Sequence, residues 1–214
     1  MGRAERLEAE DQLPKLRDDL WFPHHTQEHS FACGPACVRM IAEWLTGKCW
    51  KEKDVADRIG WRGHFRPNPS QKQRTTAFLR RIGGEVDWRF CYRGGDEPDV
   101  TAEAELRDAL DVDAGVMSIA MVHIAAYRCN ARLAQTRQIP VNFGHWIIAR
   151  GIRRVSADMD SEVRARPPKS GRTVDLAVVD DPAYTEARFE PWASISAQVI
   201  DTALLVRRRR KPRR

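Results

Sequence analysis

Gln27-Glu28-His29-Ser30-Phe31-Ala32-Cys33-Gly34-Pro35-Ala36-Cys37 is the stretch that decides the fold. Cysteine attacks only as the thiolate, and a free thiol with a pKa near 8.5 is mostly protonated at neutral pH. A helix N-terminus stabilises that thiolate through its unpaired N–H groups and its dipole. Cys33 is placed to open such a helix. Pro35 falls in the first turn, where a missing N–H costs nothing, and Gly34 leaves room for a substrate backbone to approach. Cys37, Met40, Ile41, Trp44 and Leu45 recur at helical spacing, so the helix runs from about Cys33 to Leu45 with one buried stripe and closes at Gly47. Gln27, six residues upstream, offers a side-chain amide to an oxyanion alongside the Cys33 backbone N–H.

Further along, Lys53–Ile59 reads as a short helix and Trp61–Gln71, with Pro67 and Pro69, as a loop. Residues 72–82 read as a helix ending at Gly83-Gly84, Val86–Tyr92 as a strand, and Thr101–Leu110 as a helix capped by Thr101. The second half changes period. The apolar run Val116–Ala126, then His145–Gly151, Val174–Val179 and Val199–Val206, read as strands, with a charged, proline-containing surface loop over 153–172. Helices first and strands later make an α+β class, with the nucleophile helix packed on an antiparallel sheet.

A thiolate needs a base, and base and nucleophile need only meet in space. His145 stands at the start of an apolar strand directly after Gly144. The imidazole in turn needs an acceptor that fixes its tautomer. Asp180-Asp181-Pro182, at the end of the next strand, supplies two candidates, of which Asp181 is favoured.

Gln-x5-Cys-Gly-Pro-Ala-Cys, Gly-His-Trp-Ile-Ile-x-x-Gly and the strand ending Asp-Asp-Pro-Ala together resemble the bacteriocin-processing cysteine peptidases, papain-like domains that cut leader peptides after Gly-Gly. The resemblance spans roughly Gln27 to Tyr184. It implies a papain-like fold with Cys33 as nucleophile, His145 as base, Asp181 as orienting acid and Gln27 in the oxyanion hole. It also implies a peptide or protein substrate with a Gly-rich cleavage site. Family members are typically fused to a transporter, and no transmembrane segment is read here. The phytochelatin synthases, acyltransferases of related fold, resemble the same Gln…Cys-Gly pattern. The alternatives are a papain-like acyltransferase or transpeptidase, and a non-catalytic module that binds nucleic acid through its Arg-rich tail.

Other residues are assigned less chemistry. His24, His25 and His29 are read as solvated loop histidines in preference to a metal site, and His123 as a core histidine. His64 competes weakly as the base. Cys37 and Trp146 are read as core, and Cys49, Cys91 and Cys129 are given no role. The chemistry calls for no metal or organic cofactor.

Length and charge set the frame. The 214 residues suit one domain: a polar lead-in over 1–20, the peptidase domain over 21–206, and a disordered basic tail over 207–214. The formal charge is +6, yet the last eight residues carry seven positive charges, so the rest of the chain is near −1. Basicity belongs to the tail, which either docks an anionic partner such as nucleic acid or only solubilises. Five cysteines, an odd number, with no CxxC pair and no apolar h-region at the start, point to free thiols in a reducing cytoplasm.

Overall fold

In the computed structural model, the described residues are 22–29, 32–62, 68–90, 100–111, 118–125, 144–156, 173–196 and 199–209. The elements in order are α1 (Cys33–Thr46), α2 (Glu52–Ile59), α3 (Pro69–Arg81), β1 (Gly84–Phe90), α4 (Val100–Leu110), β2 (Ser118–Ala125), β3 (Gly144–Ser156), β4 (Thr173–Asp180), β5 (Arg188–Pro191), α5 (Trp192–Ser196) and β6 (Val199–Arg208). The strands form one sheet in the order β1-β6-β2-β3-β4-β5, every neighbouring pair antiparallel. The fold is α+β, with the Cys33 helix leading and the antiparallel sheet following.

The long apolar runs have a simple cause: the central strands are covered on both faces. Ile119, Met121, Trp146, Ile148, Leu204 and Val206 pack with Cys37, Met40, Ile41 and Trp44 of α1 and with residues of α2 and α3. Their neighbours Ala120, Val122, Ile147, Ala149, Ala177 and Leu205 pack with Leu106 and Leu110 of α4 and Trp192 and Ile195 of α5. Alternate residues along each strand point to opposite faces, so two covers demand apolar residues in both phases. The helix α1 carries the predicted stripe: Cys37, Met40, Ile41 and Trp44 are at most 1% exposed. Full burial of each such aliphatic side chain contributes about 1.5–3 kcal/mol. Gly47 ends the helix at φ 68°, its N–H donating to the Glu43 carbonyl at 2.7 Å.

Several boundaries differ from the sequence reading. The segment read as a loop through Gln71 becomes helical at Pro69. Asn68 accepts from the Gln71 N–H at 2.8 Å, and the Gln71 side chain accepts from the Asn68 N–H at 2.9 Å. Pro69 occupies the first helical position of this capping box, where its ring favours the helix. Asn68→Ala is expected to cost about 1 kcal/mol, read as a lower urea midpoint at unchanged slope. Thr101 lies inside α4, which starts at Val100, and β3 runs on to Ser156 into the stretch read as a loop. Neither β5 nor α5 has a counterpart in the sequence reading.

The first two residues read as basic tail, Arg207 and Arg208, belong to β6, paired with Glu85 and Gly84 of β1. Arg207 Nε donates to Ser118 Oγ at 3.0 Å. The Arg208 guanidinium lies 4.7 Å over the Trp44 ring and donates to the Trp44 carbonyl. Arg208 closes the helix–sheet seam, while Arg207 ties β6 to β2. Residues 210–214 lie outside the described residues, as do the lead-in over 1–20, His64, Cys91 and Cys129. Among the described residues no helix is long and apolar enough to cross a membrane.

Candidate active site

Cys33 is the first residue of α1. Ala32 at the N-cap offers no side-chain acceptor, and the first turn holds no acidic residue. The first-turn N–H groups therefore have no capping side chain competing for them, which favours a negative charge at this end. Cys33 is 4% exposed. Gly34 is needed for a different neighbour than the sequence suggested. A Cβ there would collide with the Trp61 ring, with Cζ3 at 2.6 Å and Cζ2 at 2.7 Å. The indole, not open space, takes the close approach beside Cys33.

His145 is the second residue of β3. Its register partner is Ile124 of β2, and Gly144 pairs with Ala125. Gly144 is required because a Cβ there would strike the ring of His123, which stacks on Trp146 at 4.7 Å. His123 and Trp146 are both core side chains, 1% and 0% exposed.

The antiparallel ladder between β3 and β4 sets Ile148 opposite Asp180, so the chain leaving β4 runs past the start of β3. Asp181 then meets the imidazole: His145 Nε2 and Asp181 Oδ1 are 2.7 Å apart. The Ala183 N–H also donates to Oδ1, at 2.9 Å, and Arg188 Nη2 donates to Oδ2 at 3.3 Å. Cys33 also lies close enough to the imidazole to raise its pKa.

Asp180, the other candidate, faces elsewhere. It accepts from Arg150 Nε at 2.6 Å and is joined to His24 Nδ1 at 3.1 Å, while His24 Nε2 lies 3.0 Å from the Tyr184 carbonyl. β4 ends at Asp180 and Asp181 is the first residue after it, and the two carboxylates take different partners. His24 and His25 are thus not solvated loop histidines. Each is half-buried against a carboxylate, His25 Nε2 lying 2.7 Å from Glu43 Oε2. His29 is exposed.

Gln27 lies in the loop that precedes Cys33. Its backbone N–H donates to the Pro182 carbonyl at 2.8 Å, which ties its loop to the turn that carries Asp181. Its side-chain Nε2 donates to the His29 carbonyl at 3.2 Å, and its Oε1 is buried without a hydrogen-bond partner among the described residues. Arg188, which steadies Asp181, carries no local sequence signal, and sequence reasoning misses it.

Burial alone would lower the His145 pKa. The Asp181 carboxylate, its hydrogen bond and Cys33 outweigh that and raise it to about 10. Burial would raise the Asp181 pKa, yet His145, the Ala183 N–H and Arg188 hold it below the ordinary carboxylate value. Burial pushes the Cys37 thiol well up. Its Sγ donates to the Trp146 carbonyl at 3.4 Å, a core role. The arrangement can hold an imidazolium between a carboxylate and a sulfur, the configuration that thiol nucleophiles use.

A group whose folded pKa is raised stabilises fully below its unfolded value and loses that contribution as pH rises through the folded value. The His145 contribution is therefore present in full below about pH 6.5 and is lost on the way up to about 10. Melting temperatures of the wild type are expected to fall more steeply than those of His145→Ala across that window.

Two groups of three ligand-type side chains lie close together among the described residues, His25/Glu43/Cys49 and Glu28/His29/Glu52. Neither includes Cys33, His145 or Asp181.

No family model matches the chain, and no curated protein does. Among the solved structures similar to the chain, two are so at low identity. One is a double glycine motif protease from an AMS/PCAT transporter, in complex with the leader peptide: 14% identity, TM-score 0.48, 87% of this chain and 91% of that one. The other is the peptidase domain of Streptococcus ComA, a bi-functional ABC transporter of a quorum-sensing pathway: 12% identity, TM-score 0.49, 87% of this chain and 98% of that one.

Proposed function

We propose that this chain is a cysteine peptidase that cleaves a peptide bond through a Cys33–His145–Asp181 triad, with Gly-Gly as the preferred cleavage site. One observation carries the reading. His145 and Asp181, far apart in sequence, meet at 2.7 Å, and Cys33 lies close enough to raise the imidazole pKa. The Gly-Gly preference rests on the motif resemblance and accords with the Trp61 ring crowding the approach beside Cys33.

The steps follow from the groups. The Cys33 thiolate attacks the substrate carbonyl carbon, and the oxyanion takes the Cys33 N–H and the Gln27 amide. The C–N bond breaks as His145 gives its proton to the departing amine, leaving a thioester. Water, deprotonated by His145, attacks the thioester, the carboxylic product leaves, and the thiolate–imidazolium pair is restored. Asp181 holds the ring throughout. Gln27 must exchange the His29 carbonyl for the oxyanion, so its contribution appears only in the transition state. Gln27→Ala is accordingly expected to lower kcat by roughly 10²–10³-fold with KM little changed.

The direct test is incubation of the full chain with a peptide carrying an internal Gly-Gly, in heavy-oxygen water, with products weighed. Cleavage with label in the new carboxylate, absent in Cys33→Ala, supports hydrolysis. Transfer to an added amine without label moves the reading to acyl transfer. If no peptide in a Gly-Gly library is cut and iodoacetamide alkylates Cys33 no faster than exposed Cys49, the catalytic reading is wrong.

A further inference from the structure

The segment that leads to the nucleophile carries a second set of chemistry-bearing side chains, at the end of α1 remote from Cys33. His25, Glu43 and Cys49 come from three stretches of chain. The Nε2 or Nδ1 of His25, a Glu43 carboxylate oxygen and the Cys49 sulfur all lie within 4.8 Å of one another.

Local structure explains why they meet. Glu43 stands in the last turn of α1. Gly47, in the left-handed conformation at φ 68°, turns the chain back over that turn, which returns Cys49 to the level of Glu43. Phe22 and His25 lie against the same end of the helix. Phe22 packs on Trp44 with ring centroids 6.2 Å apart, and the His25 N–H donates to Met40 Sδ at 3.2 Å. His25 is thereby held over Glu43, with side-chain exposures of only 23% and 17%, while Cys49 is an exposed free thiol.

We propose that His25, Glu43 and Cys49 form a binding site for a divalent transition-metal cation of the zinc class, with three protein ligands and a fourth position open to solvent. Nitrogen, carboxylate oxygen and thiolate together are the donor set of a borderline-soft ion, not of calcium or magnesium. Bond lengths of about 2.0–2.3 Å place tetrahedral donors about 3.3–3.8 Å apart. The present spacings reach that range by side-chain rotation, with the 2.7 Å His25–Glu43 contact opening by about 0.7 Å.

The second triplet is a weaker host. Glu28 is paired to Arg39 at 2.6 Å, Glu52 accepts from the Glu28 N–H at 2.9 Å, and it holds no sulfur. At the proposed site the ion would tie the 22–29 segment to the end of α1. Gln27 lies two residues beyond His25, so metal occupancy would stiffen the loop that supplies the amide.

The test uses the full chain, stripped of metal by a chelator and kept reduced without added thiol. The Cys33→Ala form serves alongside wild type, so that the active thiol contributes no ligand. Co²⁺ and Zn²⁺ are titrated separately, Co²⁺ read by its thiolate charge-transfer absorption and Zn²⁺ by competition with a chromophoric chelator. The expected result is one equivalent bound in both forms, with the cobalt band present and a higher melting temperature in excess Zn²⁺. Cys49→Ser is expected to abolish the band and weaken Zn²⁺ at least roughly tenfold, and His25→Ala to weaken it similarly. Cys49 is exposed, so Cys49→Ser keeps the fold. The proposal is overturned if no band appears, if binding survives Cys49→Ser unchanged, or if binding is lost in Cys33→Ala.

Discussion

His145→Ala is expected to lower kcat/KM by roughly 10⁴-fold, the scale on which loss of one member of such a unit is felt. The reason is double. The variant has no group to protonate the leaving amine, and Cys33 loses the cation beside its sulfur. The same substitution is expected to reduce alkylation of Cys33 at neutral pH to the rate of Cys49, which has no part in the site. A stability cost accompanies the chemical one, because the variant removes one partner of a buried pair, a change worth about 3–5 kcal/mol in the general case. Here the loss falls at the lower end. Asp181 keeps the Ala183 N–H at 2.9 Å and Arg188 at 3.3 Å. Activity per folded molecule, measured well below the urea midpoint, separates the two effects. Retention of fast Cys33 alkylation in His145→Ala would remove the basis of the mechanism.

The second large effect is a contrast between neighbours. Asp180→Asn is expected to destabilise by about 3–5 kcal/mol while leaving activity per folded molecule within a few-fold. It removes the carboxylate opposite Arg150 at 2.6 Å and His24 at 3.1 Å, in a fully buried place where the guanidinium also lies 5.2 Å over the Phe22 ring. Asp181→Asn is expected to do the reverse, lowering kcat by roughly 10²–10⁴-fold. The amide still accepts from His145, but the charge that holds the imidazole protonated up to about pH 10 is gone. The alkaline limb of the activity profile is therefore expected to move to lower pH. Loss of activity in Asp180→Asn together with near-normal activity in Asp181→Asn would assign the orienting acid to the wrong residue.

Much of the fold is legible in the order of the amino acids. The helix at Cys33 announces itself through its stripe and its closing glycine, and β2 and the first half of β3 through runs too apolar for a one-faced sheet. The elements over 188–196 escape a sequence reading because their signal is tertiary. Four strand residues and one helical turn have no period to read, and Trp192 and Ile195 become core only where the face of Ala177 and Val179 receives them. Pro69 misleads in the other direction. Proline marks a loop until a capping asparagine and glutamine place it at the first helical position.

The site divides along the same line. Sequence by itself determined the residue types and their local settings. A cysteine opens an amphipathic helix, a histidine starts a strand, and two aspartates end another, because helix and strand periods are set by neighbours in the chain. The tertiary structure alone decided who meets whom. The register of β3 against β4 carries the chain past Asp180 so that Asp181 turns to His145, the ring of Trp61 fills the space beside Gly34, and Arg188 arrives behind the carboxylate. A one-residue change of strand register reverses every side chain, and no local pattern in Asp180-Asp181 records which way that register falls.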